Sequence, residues 1–233
     1  YYGIDLYNQQ MLPQLIDTIA QLKGVEWIRL HYAYPNQFPM GLIDVMKKHD
    51  NVCKYLDIAL QHSSDIVLDM MRRKITNKET IDLLSKIRAE IPQIHLRTTL
   101  MVGFPGETDE EFNHLIEFVG KQRFERMGAF AYCEEDDTYA AKNYSDTISS
   151  EEKNNRLNKL MSLQENISLE CNQSKIGHKF RVIIDSEEDD YYIGRTEWDS
   201  PEVDPEVLID KTKDLKIGEF YYVEIVDAFP FEL

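Results

Sequence analysis

Cysteine is scarce in this sequence: Cys53, Cys133 and Cys171 are all that 233 residues contain. An odd number spread this widely excludes a disulfide framework and gives no metal-ligand spacing. All three are read as reduced thiols, and no metal site is assigned within the chain. Long apolar runs are missing too. Nothing approaches the ~20 residues of a membrane-spanning helix, and no charged-then-apolar leader precedes the first helix, which points to a soluble, cytoplasmic protein with no membrane partner. Cations are the third shortage, 26 Lys and Arg against 42 Asp and Glu, a net charge of -16. Repulsion of that size disfavours RNA or DNA as a partner of the bulk surface and favours a basic one. Internal repeats, low-complexity tracts and an opening methionine are also absent, and Tyr1 to Leu6 reads as the tail of something upstream.

What is present is a globular composition, 42% hydrophobic and 11% aromatic, in a length suited to one large and one small domain. The organising stretch is Leu96 to Phe112, where an apolar run ends in Gly103-Phe104-Pro105-Gly106 and a helix begins at once. Along the run, Leu96, Leu100 and Val102 share one face while Arg97, Thr99 and Met101 share the other. Thr108 and Glu111 have capping-box spacing, and Phe112, Leu115, Ile116 and Val119 follow at helical period.

The layout recurs. In Trp27 to Tyr32, Ile28 and Leu30 oppose Arg29 and His31; in Tyr55 to Gln61, Leu56, Ile58 and Leu60 oppose Asp57 and Gln61. A flat doubly wound sheet reads apolar on both faces, so one apolar and one polar face per strand predicts a barrel with a working interior. Helices are expected at Gln10 to Leu22, Met40 to Lys48, Val67 to Met71 and Thr76 to Glu90, with a further strand at Met127 to Tyr132. This alternation gives a parallel sheet with right-handed crossovers, with ligands gathering at the strand C-termini near Tyr34, Gln61, Gly103 and Tyr132. The run Arg72-Arg73-Lys74 reads as a solvated basic face. A strand at Trp27 without a neighbour would leave an open edge, so more chain is expected upstream.

From Ser149 a long helical stretch leads to a region of different character. Phe180 to Ile184, Tyr191 to Thr196, Val207 to Ile209 and Phe220 to Val226 are short β-branched or aromatic runs between turns, a small all-β module. The expected division is 1–148, 149–174 as a connecting helix, and 175–233.

The motifs Arg29-Leu-His-Tyr-Ala-Tyr-Pro35, Tyr55 to His62, Leu96 to Thr108 and Gly194 to Asp204 together resemble the radical S-adenosylmethionine methylthiotransferases, in particular the branch acting on a ribosomal-protein aspartate. The resemblance implies an α/β fold, a partial parallel (β/α) barrel holding strands three to six, followed by a small β-barrel called the TRAM domain. It implies S-adenosylmethionine and two four-iron four-sulfur clusters in the intact enzyme, whose cysteine motif and N-terminal domain have no counterpart here. The fragment is therefore expected to be inactive and free of cofactor by itself. The implied reaction is removal of hydrogen from the β-carbon of an aspartate on a basic small-subunit ribosomal protein, and installation of a methylthio group there.

Gln61, Arg97 and Thr99 on the inward faces, Gly103 and Phe104 at the turn and Tyr132 on the last strand are the candidates to meet the cofactor. Residues 175–233 carry seven basic against sixteen acidic residues, a charge of -9, so RNA is not expected to be the direct partner of this module. The proline-stiffened loop Asp199, Glu202, Asp204 is the expected docking point for the ribosomal protein. The alternatives are a tRNA methylthiotransferase and, for the fragment, a substrate-docking module without catalysis.

Overall fold

Residues His95–Val102 alternate half-buried and buried along their whole length, with Leu96, Thr98, Leu100 and Val102 on the buried face, beneath the covering helices. A computed structural model describes residues 2–233. The first part runs α1 (Ile4–Tyr7), α2 (Leu12–Ala20), β1 (Ile28–Ala33), α3 (Gly41–Lys48), β2 (Val52–Ile58), α4 (Asp65–Met70), α5 (Asn77–Glu90), β3 (His95–Val102), α6 (Asp109–Gln122) and β4 (Arg126–Ala131). After it come α7 (Tyr139–Asn143), α8 (Ser150–Gln173), β5 (Lys179–Glu187), β6 (Tyr191–Arg195), β7 (Val207–Asp210) and β8 (Phe220–Glu224).

The first four strands form one parallel sheet in the order β1-β2-β3-β4. Leu56 and Ile58 of β2 and Leu96, Leu100 and Val102 of β3 share a core with Leu84 and Ile87 of α5 and Leu115 and Val119 of α6. Each such side chain contributes roughly 1.5–3 kcal/mol by leaving water. Helix α8 also belongs to this core, through Leu160 and Ile167. The capping box expected of Thr108 and Glu111 is present on α6, and Thr76 with Glu79, at the same spacing, forms another on α5.

One strand departs from its sequence pattern. β2 begins at Val52, three residues before the expected start, and all seven of its residues are buried. Helices cover its outer face, and the segment after β6 meets its inner side, where Glu197 accepts from the Lys54 amide and Asp204 from the Tyr55 hydroxyl. Lys54 is 9% exposed and directs its ammonium to the carbonyls of Met46, His49 and Val52.

The remaining strands form a curled antiparallel sheet, β7-β6-β5-β8. The final residues run back along β7, where Leu208 donates to the Leu233 carbonyl and Leu233 to that of Glu206, both at 2.9 Å. Val182, Val207, Ile225, Ala228 and Leu233 make its core.

The two sheets meet through the Thr196–Asp204 segment, which plugs the inner face of the parallel sheet near the N-terminal ends of its strands. Trp198 stacks on His95 with centroids 4.4 Å apart and planes 11° from parallel. Asp199, fully buried, takes two bonds from Arg126, 3.1 Å from Nε and 2.7 Å from Nη2. Arg29 donates to the carbonyls of Thr196 and Glu197, each at 3.1 Å, and Glu197 accepts from the Lys54 amide at 2.9 Å. Asp204 accepts from Tyr55 Oη at 2.8 Å and Arg97 Nε at 3.2 Å.

This corrects the expectation that Asp199, Glu202 and Asp204 present three carboxylates to a partner. Of the three only Glu202 is exposed; the other two are spent on cations of the parallel sheet, because a buried carboxylate must be paired.

Burial alone would raise the Asp199 carboxyl, but Arg126, Lys175 and the Thr196 hydroxyl outweigh it and hold it below the ordinary value. A carboxyl depressed in the folded chain gives stability that is complete above its unfolded value and lost as pH falls through the folded one. Urea unfolding at stepped pH should show that loss below about pH 4. Asp199→Asn should cost about 3–5 kcal/mol at neutral pH and flatten this part of the acid slope. An acid slope unchanged by the substitution would contradict the pairing.

Candidate functional site

At the opposite end of the inner face, where β2, β3 and β4 finish, the chain leaves a cavity of about 390 Å³. Strand ends supply Gln61, Met101, Phe104 and Tyr132; the end of α4 supplies Met70 to Arg73; the segment after β4 supplies Cys133, Glu135 and Tyr139.

Backbone constraints fix these walls. Gln61 continues the ladder beyond the end of β2, its amide donating to Thr99 O at 2.9 Å and its carbonyl accepting from Met101 N at 2.7 Å, with φ at +75°. Gly103 sits at φ +72°, and a Cβ there would lie 2.4 Å from Lys153 Cγ of α8. Its amide donates to Glu107 Oε2 at 2.8 Å. Glu107, 3% exposed, also takes 2.9 Å from Arg156 Nη1, so the turn is braced from inside by a buried carboxylate tied to α8. His62, 1% exposed, stands with Nε2 3.6 Å from the same carboxylate.

The cavity is largely apolar with polar exceptions. Phe104 and Tyr132 meet edge to face at 5.2 Å, and Lys153 Nζ lies 5.0 Å from the Tyr132 ring centroid. The Tyr132 hydroxyl is buried without a hydrogen-bond partner, and burial pushes its pKa up. An orphaned buried hydroxyl between sulfur-rich and aromatic walls fits the nucleoside part of a cofactor such as S-adenosylmethionine. An iron–sulfur cluster does not fit. No group of three or more His, Cys, Asp or Glu among the described residues could hold a metal ion. Cys53 is buried, with its thiol pushed up to about 11 chiefly by that burial, Cys171 is half-buried, and only Cys133 is exposed.

Of the expected cofactor residues, Gln61, Phe104 and Tyr132 therefore line one cavity, and Gly103 shapes its turn. Arg97 and Thr99 lie lower on the same face. Arg97 Nη1 is 3.4 Å from Asp57 and its Nε 3.2 Å from Asp204, the carboxylate pairing that an interior arginine requires. Burial raises Asp57 despite Arg97, and His31, 3.9 Å from it, is lowered by its own burial.

The sequence reading missed Met70, Met71, Arg72, Arg73 and Tyr139. Arg72-Arg73 is not a plain solvated face: Arg72 lies 4.3 Å over Tyr139, and Arg73 lies 4.4 Å over Tyr34 while donating to Ala59 O. The available signal was that these cations follow a short capped helix at a strand C-terminus.

Gly103→Ala should lower stability beyond the roughly 1–2 kcal/mol of a left-handed non-glycine residue, because the methyl also meets Lys153. Adding Lys153→Ala should relieve the steric part alone, leaving that backbone cost in chemical denaturation. A fully additive double substitution would contradict the close approach.

Residues 8–119 match the radical SAM superfamily and residues 176–233 match the TRAM domain. The chain is 62% identical over 234 residues to a protein of Phocaeicola vulgatus and 59% identical to one of Bacteroides thetaiotaomicron, each named ribosomal protein uS12 methylthiotransferase RimO. The matches cover all of this chain and 54% of each relative, so it spans about half their length. Among solved structures, coproporphyrinogen III oxidase (HemN) from Escherichia coli, a radical SAM enzyme, is similar with TM-score 0.51 and 19% identity over 60% of this chain and 32% of that one, a likeness of fold alone. The chain therefore matches the radical SAM superfamily over its first part and the TRAM domain after the parallel sheet, and is similar over its whole length to the RimO methylthiotransferases.

Proposed function

We propose that this chain is the cofactor cavity and TRAM portion of a cytoplasmic methylthiotransferase acting on the β-carbon of an aspartate in ribosomal protein uS12. The observation that carries the reading is the match at 62% identity that runs from one end of the chain to the other. The cavity supports it, since it opens at the C-terminal ends of parallel strands, where α/β folds bind ligands.

S-adenosylmethionine, when bound, supplies the radical chemistry; the chain's residues bind, orient and exclude water. Phe104, Met101 and Gln61 would hold the nucleoside, the Gly103 turn would shape its seat, and the Tyr132 hydroxyl would gain the partner it lacks. Arg97 and Thr99 brace the floor between Asp57 and Asp204. The substrate is expected to be basic: Glu134, Glu135, Asp136 and Asp137 are exposed after β4, beside the cavity mouth. Complementary charge there would speed encounter and select the partner.

The test joins this chain to the part of the Phocaeicola vulgatus relative that it does not cover, reconstitutes clusters, and supplies S-adenosylmethionine, reductant, uS12 and tRNA. Mass spectrometry should find one methylthio group replacing hydrogen on an aspartate of uS12, and Tyr132→Phe should weaken S-adenosylmethionine binding. Modification of tRNA instead, or of neither, would overturn the reading.

A further inference from the structure

His62 stands behind the cavity, between two of its walls. It follows Gln61, whose backbone is tied to β3, and its own side chain is fully buried. One ring nitrogen serves α4: the amide of Ser64, the residue that opens that helix, donates to His62 Nδ1 at 3.0 Å. A nitrogen that accepts carries no proton, so the ring's proton lies on Nε2. That Nε2–H is a buried donor without a hydrogen-bond partner among the described residues. Glu107 Oε2 is 3.6 Å away, one short movement beyond a hydrogen bond.

Glu107 belongs to the other wall. Its Oε2 accepts from the Gly103 amide at 2.8 Å, at the start of the turn that places Phe104 in the cavity. Its Oε1 takes 2.9 Å from Arg156, but the same guanidinium serves Asp109 at 2.8 Å and Glu152 at 2.9 Å, so one charge is divided among three carboxylates. A carboxylate can accept about four hydrogen bonds, which leaves Glu107 capacity for one more. The two walls also touch directly. At Gly106, with φ at +87°, a Cβ would lie 2.8 Å from the methyl of Met70, the last residue of α4 and part of the cavity lining. Any shift of the turn toward or away from α4 is therefore felt at the cavity, and His62 is the side chain with a nitrogen on each side of that junction.

We infer that His62 is a positioning residue of the cavity: donation from Nε2 to Glu107 ties the Gly103–Gly106 turn to α4 in the arrangement that holds a ligand. The inference rests on the proposed function for that ligand, the nucleoside of S-adenosylmethionine, and concerns what sets the walls rather than what touches the ligand. An unmade bond to a buried donor is costly, so a ligand seated against Phe104 with the gap closed recovers what the open cavity forgoes. Such a ligand favours the closed arrangement by its differential affinity and shifts the chain toward it.

The test is calorimetric titration of the chain with 5′-methylthioadenosine, a nucleoside thioether, using two substitutions that divide the imidazole. His62→Asn keeps an acceptor where Nδ1 stands and removes the donor; His62→Gln keeps an amide donor at the reach of Nε2 and removes the acceptor. His62→Asn should weaken the probe about 10-fold, while His62→Gln should stay within about 3-fold of the unsubstituted chain. In the unsubstituted chain, NMR should find the imidazole proton on Nε2. Its resonance should move downfield and exchange more slowly with water when the probe binds, a readout that survives if the variants fail to fold. A proton on Nδ1, an Nε2–H resonance unmoved by bound probe, or equal weakening by the two substitutions would overturn the positioning role and leave the proposed function standing. An unsubstituted chain that does not bind 5′-methylthioadenosine would overturn the cavity's place in the proposed function, and this inference with it.

Discussion

The buried pair between Arg126 and Asp199 is the interaction on which the arrangement depends. It joins β4 of the parallel sheet to the segment after β6, and it lies where neither charge can be left alone. With 3% and 0% of the two side chains exposed, removing either partner strands the other in a medium that solvates it poorly. Asp204, Tyr55 and Arg97 repeat the device on β2 and β3, and Arg29 ties β1 to the same segment through backbone carbonyls. Every strand of the parallel sheet thus contributes a polar side chain or backbone group to one docking segment.

The consequence is a division of the inner face. Near the strand N-termini it is filled by the TRAM segment, with Trp198 against His95. Near the C-termini it stays open as the cavity between Phe104, Tyr132 and the end of α4. Helix α8 runs beside both regions. Lys153 and Arg156 press on the Gly103–Glu107 turn at one end, and Asn172 accepts from Arg126 at 3.3 Å at the other. The cavity wall and the docking segment are held by one rigid element.

Much of this was legible in the sequence because it is local. The period-two alternation of Leu96 to Val102, the capping boxes at Thr76 and Thr108, and the change from helix-strand alternation to short β runs after Gly177 all act over a few residues. What stayed hidden depends on distant partners. A loop with three carboxylates and two prolines reads as a presented surface until Arg126, 73 residues away, is found beside Asp199. β2 reads as half-polar until the Thr196–Asp204 segment is found against it. Arg72 and Arg73 read as a solvated face because their aromatic neighbours, Tyr139 and Tyr34, lie far along the chain.

If the two sheets are locked through Asp199, they should unfold together. Differential scanning calorimetry of the chain, with Arg126→Met and Asp199→Leu made singly and together, tests this directly. The account predicts one cooperative transition in the parent chain, large losses in each single variant, and a double variant more stable than either single one, since an apolar pair strands no charge. Two separate transitions in the parent chain, or single losses that simply add, would contradict it.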